Sequence, residues 1–529
     1  MSLAVNKIKD LMKSPDAWRY LFSVAFFFVM IYSGIKFMNA GNSYEQAVSF
    51  RLFCIAFGLL VLTLMEVRQW LSIWSFLYLP ACYVYTHYAY ELHWIEDTCE
   101  YQFVDVIRLG KLVILIWGIV LIAILRDIIK NNSWKNVLSF QSVLGMLWFV
   151  FIILLTLFKR DYFYATFFVL GYTAFYFVSN KPAIKKIVWR ALTDAILLSF
   201  VFVSIRMIMH RPYDCERYLA YFSNSNMAGM YLAVVIVTIY QRIDFWWKKA
   251  AGRRIKVPVL LLWYVAMGFA CSVAIFNYTR TTILGLLFAF FTLFVLQMLK
   301  EKKSAVIARF TLVLAAIACL FYGTYCLIRY VPAYVDEPTF FMWEYNPETR
   351  VVQGDPVDSP KYTTMESFLT LALGKWGIYV DFSEEAAEEG TDVVIDTERD
   401  VTNGRTEIWK TYLARTNLTG HFPGHIEMEN GYFCYHAHST YFHILYQYGL
   451  FAGIVYTLMV ICAYVYAILC YWRRKGEENY FLFPLLMTGL CLVGQVTEWM
   501  GHPAYVICMV FLMAYGMLLG EKRSQVDER

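Results

Sequence analysis

The chain has 529 residues, 59% hydrophobic and 16% charged, with a mean hydropathy of +0.49 and a formal charge of +5. No soluble globular protein needs so much apolar surface, and so small a positive excess is no footprint of nucleic-acid binding. The apolar residues fall into runs of about 17–25, the length that spans a hydrocarbon core of about 30 Å. Backbone groups inside a bilayer must be satisfied within the segment, so each run is expected to be a helix.

Residues 3–13 have the pattern of a short amphipathic surface helix, with Leu3, Ile8, Leu11 and Met12 on one side and lysines on the other. The first apolar run is too long for a cleavable signal peptide and lacks a small-residue cleavage site. Predicted spans follow at Trp18–Met38, Val48–Met65, Trp70–Tyr90, Leu109–Leu125, Phe140–Phe158, Tyr162–Val178 and Ala191–Met209. They continue at Asn226–Tyr240, Val257–Phe276, Thr281–Leu299, Phe310–Tyr330, Thr440–Trp472, Tyr480–Trp499 and Ala504–Leu519. The stretch 140–178 also reads as one tight hairpin, and the class is an all-α, polytopic integral membrane bundle of about 12–14 transmembrane helices.

Lys and Arg accumulate in every second loop: Lys7, Lys9 and Lys13; Arg126, Lys130 and Lys135; Lys181 to Arg190; Lys248 to Lys256; Lys300 to Lys303; Arg473 to Lys475. By the positive-inside rule both termini are cytoplasmic. Lys159-Arg160 breaks the alternation. The chain then divides into a first bundle segment at 1–330, one large external loop at 331–439, and C-terminal helices with a short tail at 440–529. Of the twelve cysteines, Cys99, Cys215 and Cys434 fall outside, with no CxxC or Cys/His metal spacing.

Within the large loop, 345–400 is acidic (Glu384, Glu385, Glu388, Glu389, Asp392, Asp396, Glu398, Asp400) and reads as solvated, with a short helix near Met365–Leu373. Thr406–Leu418 places Ile408, Trp409, Tyr412 and Leu413 at helical spacing, with Asn403 or Thr402 as a possible cap. Gly420 to His425 is rich in Gly and Pro, and His436 and His438 stand where the loop re-enters the bundle.

Three other external features meet the same face. One is 211–226, with Arg217 and the trio Asn224, Ser225, Asn226. The second is the turn Asn277-Tyr278-Thr279-Arg280, too short to carry Arg280 away from the bilayer, where a charge is costly without a partner or cavity. The third is Gln495 to Trp499, with Glu498 near a span end. Taken singly, such residues are interfacial anchors or incidental loop positions. Together they form a site suited to an anionic, membrane-borne ligand.

The order Arg-Tyr-x-x-x-Phe-x-Asn-x-Asn (217–226), Thr-Arg (279–280), Gly-Arg-x-x-x-Trp (404–409), His-x-His-Ser-x-Tyr (436–441) and Gly-Leu-x-x-Gly (449–453) resembles the O-antigen ligase and O-antigen polymerase family of bacterial membrane glycosyltransferases. The likeness covers about 210 to 515. It departs at Ser439, where the family commonly has Asn, and at Thr279, where it often has Ser; both keep a polar group. The resemblance implies a GT-C type bundle in the bacterial cytoplasmic (inner) membrane, acting on its external face. The implied donor is an undecaprenyl-diphosphate-linked oligosaccharide and the acceptor a glycan or lipid-linked glycan. Other polysaccharide-assembly proteins are possible partners.

The residues suit that chemistry directly. Arg217, Arg280 and Arg405 are expected to hold the diphosphate, because a guanidinium pairs with phosphate oxygens and stays charged. His438 is expected to be the general base, with His436 as its backup or orienting neighbour. Glu498, Asn226 and Trp409 are supporting residues: the carboxylate fixes a histidine or an arginine, and aromatics such as Trp409, Tyr218, Tyr221 and Tyr441 line a membrane interface or stack on sugars. No cofactor and no metal is expected. Asp355 and Asp358 are loosely spaced in a solvated loop, and His436, His438 and His443 lack a fourth zinc ligand at recognisable spacing. Polymerase and ligase activities both fit, with a polymerase of O-antigen, capsule or exopolysaccharide preferred. A polysaccharide or small-solute transporter and an inactive assembly scaffold are the rivals. A transporter calls for polar groups near the bilayer midplane and repeated halves, and no repeat is visible.

Overall fold

A computed structural model describes residues 143–161, 164–165, 168, 182–209, 213–214, 217–218, 225–250, 257–335, 365–374, 378–380, 393–395, 404–421, 424–428, 431, 433–434, 436–474, 480–501 and 506–519. Outside them lie the first four predicted spans, most of Tyr162–Val178, the surface helix at 3–13, Cys99, Cys215, Asn224, Tyr221, Asp355, Asp358 and most of the acidic stretch. The chain divides into two compact units. One comprises Met1–Val201, Leu458–Thr488 and His502–Arg529; the other comprises Phe202–Thr457 and Gly489–Gly501.

The described residues are mostly helical. In chain order the helices are α1 (Val143–Ile153), α2 (Pro182–Met209), α3 (Ser225–Ala250), α4 (Val257–Asn277), α5 (Arg280–Lys300), α6 (Lys303–Val335), α7 (Met365–Gly374), α8 (Arg405–Ala414), α9 (Thr440–Tyr448), α10 (Leu450–Arg473), α11 (Leu482–Thr497) and α12 (Val506–Leu519). Three antiparallel strand pairs interrupt the all-helical expectation. They are β1–β2 (Tyr213–Asp214 with Arg217–Tyr218), β3–β4 (Ile378–Val380 with Val393–Ile395) and β5–β6 (Ile426–Glu427 with Phe433–Cys434). All three lie in the polar segments between apolar runs, where turn chemistry rather than bilayer burial decides the backbone.

In the first unit, α1 passes into a π-helical turn at Leu154–Phe158, and the chain doubles back at Lys159–Asp161. Arg160 has φ of 54°, Asp161 Oδ1 accepts from Tyr164 N, and the Phe168 ring returns to 5.0 Å from Phe151. The anomalous basic pair therefore marks a sharp reversal. From α12, Tyr515 Oη donates to Leu144 O at 2.8 Å.

The second unit is built on α3, which is buried along most of its length among its neighbours. Among the described residues, five helices are long and apolar enough to cross a membrane by length and composition: α3, α4, α5, α6 and α10. Their outward faces carry Leu261, Leu287, Phe291, Leu314 and Phe451, apolar side chains suited to lipid. Two predicted spans need correction. The one expected to end at Tyr240 continues as α3 to Ala250. The single span expected from Thr440 is two helices, α9 and α10, broken at Gly449.

Gly449 has φ of +94°, a left-handed conformation that only glycine adopts without strain. At that break Leu450 N donates to Asn417 O at 3.0 Å and His421 N to Tyr446 O at 2.8 Å, so the loop after α8 is seated on the joint. α8 packs Tyr412 into a small core with Ile426, Cys434, Ala437 and Tyr446. Cys434 is buried there as a thiol. Gly404, with φ of 80°, stands at the N-cap of α8; the expected caps Thr402 and Asn403 lie outside the described residues.

At the end of α3 that carries Ala250 lies a closed ionic cluster. The fully buried Arg309 bonds Asp244 through Nη1 and Glu301 through Nη2, and Lys248 Nζ lies 2.8 Å from Asp244 and 3.0 Å from Glu301. Gln297 Nε2 donates to Asp244 Oδ1, and its Oε1 accepts from Tyr240 Oη, both at 3.2 Å. Two cations and two carboxylates cancel, the condition under which buried charge is tolerable.

Candidate functional site

At the opposite end of α3, the carboxylate of Glu498 organises the second polar centre. The α11 helix ends at Thr497, so Glu498 stands just beyond it, only 5% exposed at the side chain. Its Oε2 accepts from Asn226 Nδ2 at 2.6 Å and from Arg405 Nη2 at 3.0 Å. Its Oε1 accepts from Trp499 N at 3.0 Å and lies 3.5 Å from His438 Nδ1. Arg405 Nη1 also donates to Thr497 O. Four of the residues singled out in the sequence, Asn226, Arg405, His438 and Glu498, thus meet around one carboxylate.

Burial alone would raise the pKa of Glu498. The contact with His438, the Arg405 guanidinium and the Trp499 amide outweigh it and hold the carboxyl below its ordinary range. The group is therefore an anion that orders its neighbours. Arg405 spends two N–H groups on this framework and has three further donors.

His438 is held from both sides. Its backbone is left-handed, with φ of 47°, unusual for a residue other than glycine and typical of positions that surrounding structure over-determines. Its N–H donates to His436 Nδ1 at 3.3 Å, and the two rings are 4.3 Å apart in a T-shaped arrangement. The next three residues are tied to the end of α11. Ser439 Oγ donates to Gln495 O, Thr440 N and Oγ1 both donate to Glu498 O, and Tyr441 Oη donates to Leu492 O. Thr440 Oγ1 also accepts from Met500 N at 2.8 Å. Histidine and carboxylate, 60 positions apart in the chain, are fastened as one piece.

A second network ties together the backbone segments that carry the remaining arginines. Asn277 Nδ2 donates to Tyr218 O at 2.8 Å, tying the strand of Arg217 to the turn that precedes Arg280. Thr279 Oγ1 reaches Asn277 Oδ1 at 2.6 Å and Ser225 O at 2.9 Å, next to Asn226. Thr497 Oγ1 donates to Thr281 Oγ1 at 3.0 Å, bringing the first turn of α5 to the residue before Glu498. Gly229 permits this approach: a Cβ there would fall 2.6 Å from Thr282 Oγ1 and 2.7 Å from Thr279 Cβ. Arg280 is half-buried at the head of α5. Arg217 is placed by its strand, and its side chain is outside the described residues. Trp409, one turn after Arg405, packs on Phe442 with ring centroids 5.7 Å apart and so steadies α8.

Asn277, Thr281, Thr440 and Thr497 join the site as positioning residues beyond those expected from the sequence. Their signal was present: each is a hydrogen-bonding side chain at the end of an apolar run. His443 packs on Trp499, ring centroids 4.3 Å apart, and is not one of the clustered ligand atoms. His436, His438 and Glu498 each offer a ligand atom, all within 4.8 Å of one another. The third of these comes from a segment that spacing alone did not connect to the histidines.

Chemically the centre offers a partly exposed imidazole backed by an anion, with the Arg405 guanidinium on the same carboxylate. No protein-family model matches the chain. A search of curated proteins finds no significant match either.

Proposed function

We propose that this protein is a membrane glycosyltransferase that polymerises lipid-diphosphate-linked oligosaccharide units into an envelope polysaccharide by metal-independent, inverting transfer. The observation that carries this reading is the contact of His438, Arg405 and Asn226 with the single carboxylate of Glu498. Such a set can take a proton and face an anion at once. The resemblance to O-antigen ligases and polymerases supplies the substrate class, the GT-C comparison and the bacterial inner-membrane setting.

In this reading Glu498 faces Nδ1 of His438 and favours the tautomer with the proton there, leaving the Nε2 lone pair for the acceptor hydroxyl. The present 3.5 Å separation is long, and contacts of this kind tighten when substrate binds. The acceptor oxygen gives its proton to Nε2 and attacks the anomeric carbon of the donor. The bond from that carbon to the diphosphate oxygen breaks on the opposite face, which inverts the configuration. The departing diphosphate stays on its lipid, its charge met by Arg280, Arg217 and the unspent donors of Arg405.

The test is envelope glycan length by gel after gene deletion, with wild type or His438→Ala supplied in trans. Loss of the base is expected to lower transfer by about 10²–10⁴-fold, leaving single repeats where wild type restores a ladder. Full-length glycan retained on its lipid carrier after deletion would instead assign a ligase. A full ladder from His438→Ala would overturn the catalytic assignment.

A further inference from the structure

Beyond the proton-transfer role, His436, His438 and Glu498 can serve as three protein ligands for a metal ion, His436 giving up the 3.3 Å hydrogen bond that its Nδ1 accepts from the His438 N–H. His436, His438 and Glu498 present their ligand atoms within 4.8 Å of one another. Two ligands each 2.0 Å from a tetrahedral ion stand about 3.3 Å apart; His438 Nδ1 and Glu498 Oε1 are 3.5 Å apart. That Nδ1 is shielded from solvent and meets only Glu498 Oε1, at a distance longer than a good hydrogen bond, so the pair is spaced to share a cation. The carboxylate divides its labour: Asn226 and Arg405 hold Oε2, and Oε1 is the oxygen turned to the histidine. The Thr440 contacts to Glu498 O fix both halves of the set in place.

We propose that His436, His438 and Glu498 form an exchangeable site for a zinc-class divalent cation, and that its occupancy silences the transferase. Two imidazoles and one carboxylate suit such an ion, with water completing the coordination. The adjacent Arg405 guanidinium opposes the cation and the histidine ring is 30% exposed, so the ion exchanges rather than stays. The consequence for activity rests on the proposed base. A neutral imidazole has one proton and one lone pair. A cation on Nδ1 takes the lone pair and moves the proton to Nε2, so the nitrogen that should accept the acceptor's proton already carries one.

The experiment uses the full-length protein in detergent, stripped with EDTA and then equilibrated with zinc chloride. Bound zinc is measured by elemental analysis after dialysis, and polymer formation is followed against free zinc. One zinc per chain is expected, with the dissociation constant raised at least tenfold in His436→Ala, in the milder His436→Asn and in Glu498→Gln. Circular dichroism identifies any variant that fails to fold. Zinc should inhibit wild-type transfer and EDTA should restore it. Absence of stoichiometric binding, or binding indifferent to all three substitutions, overturns the site. Transfer that continues unchanged at saturating zinc overturns the silencing. Stoichiometric binding in a protein that never makes glycan leaves the metal site standing and removes the transferase reading.

Discussion

Glu498 is the residue on which the site turns, because every group facing its side chain is a donor. Asn226, Arg405 and the Trp499 amide all give hydrogens to it, and His438 adds a fourth when its Nδ1 is protonated. A glutamine there must point an N–H at one of these donors. Glu498→Gln is therefore expected to destabilise the protein by about 1–3 kcal/mol through an unsatisfied buried donor, and to lower transfer as well. Thermal unfolding in detergent and the glycan gel measure the two effects. The sign of the pH effect also follows. The folded carboxyl has the lower pKa, so its stabilisation is complete above the ordinary carboxylate range and is lost as pH falls below that range through the folded value. The acid limb of a stability-versus-pH curve should flatten in Glu498→Gln.

Among the elements, the break between α9 and α10 is the most demanding. A side chain at Gly449 meets left-handed strain and the backbone of Thr419 and Gly420. Gly449→Ala is expected to cost about 1–3 kcal/mol, visible as a lower unfolding temperature and weakened transfer, since α9 positions the histidine pair. This joint was not legible in the sequence. Thr440–Trp472 is one continuous apolar run, and the interruption comes from Asn417, a distant loop residue bonding Leu450 N. The spans α4 and α5 were legible because length and hydropathy decide them. The end of α3 was not, because Gln241 and Asp244 interrupt the apolar run and the charge partner of Asp244, Arg309, lies 65 positions away. Asn226, His438 and Glu498 were readable as polar residues at the ends of apolar runs, and Arg405 as a charge in the large loop. Their pairing was not, since nothing local links His438 to Glu498, 60 positions later.

Across the whole second unit, the two polar centres occupy opposite ends of shared helices. The cluster around Arg309 is neutral as a whole and harmful in parts. Arg309→Met should cost about 3–5 kcal/mol by leaving Asp244 and Glu301 short of a partner. The triple replacement Arg309→Met, Asp244→Leu, Glu301→Gln should recover much of that loss, as unfolding in detergent would show. On α3 the centres are marked by Asn226 and Asp244, and on α5 by Thr281 and Gln297. At 1.5 Å per residue these separations are about 27 Å and about 24 Å, close to one hydrocarbon thickness. The helices thus carry a fixed gauge between two pinned ends, unable to shorten without breaking ion pairs at one end or prising Asn226 from Glu498 at the other. Lipid chain length should then tune this protein. Reconstituted into bilayers of graded thickness, it should transfer fastest near the matching value, and in thinner membranes it should tilt and lose activity before it unfolds.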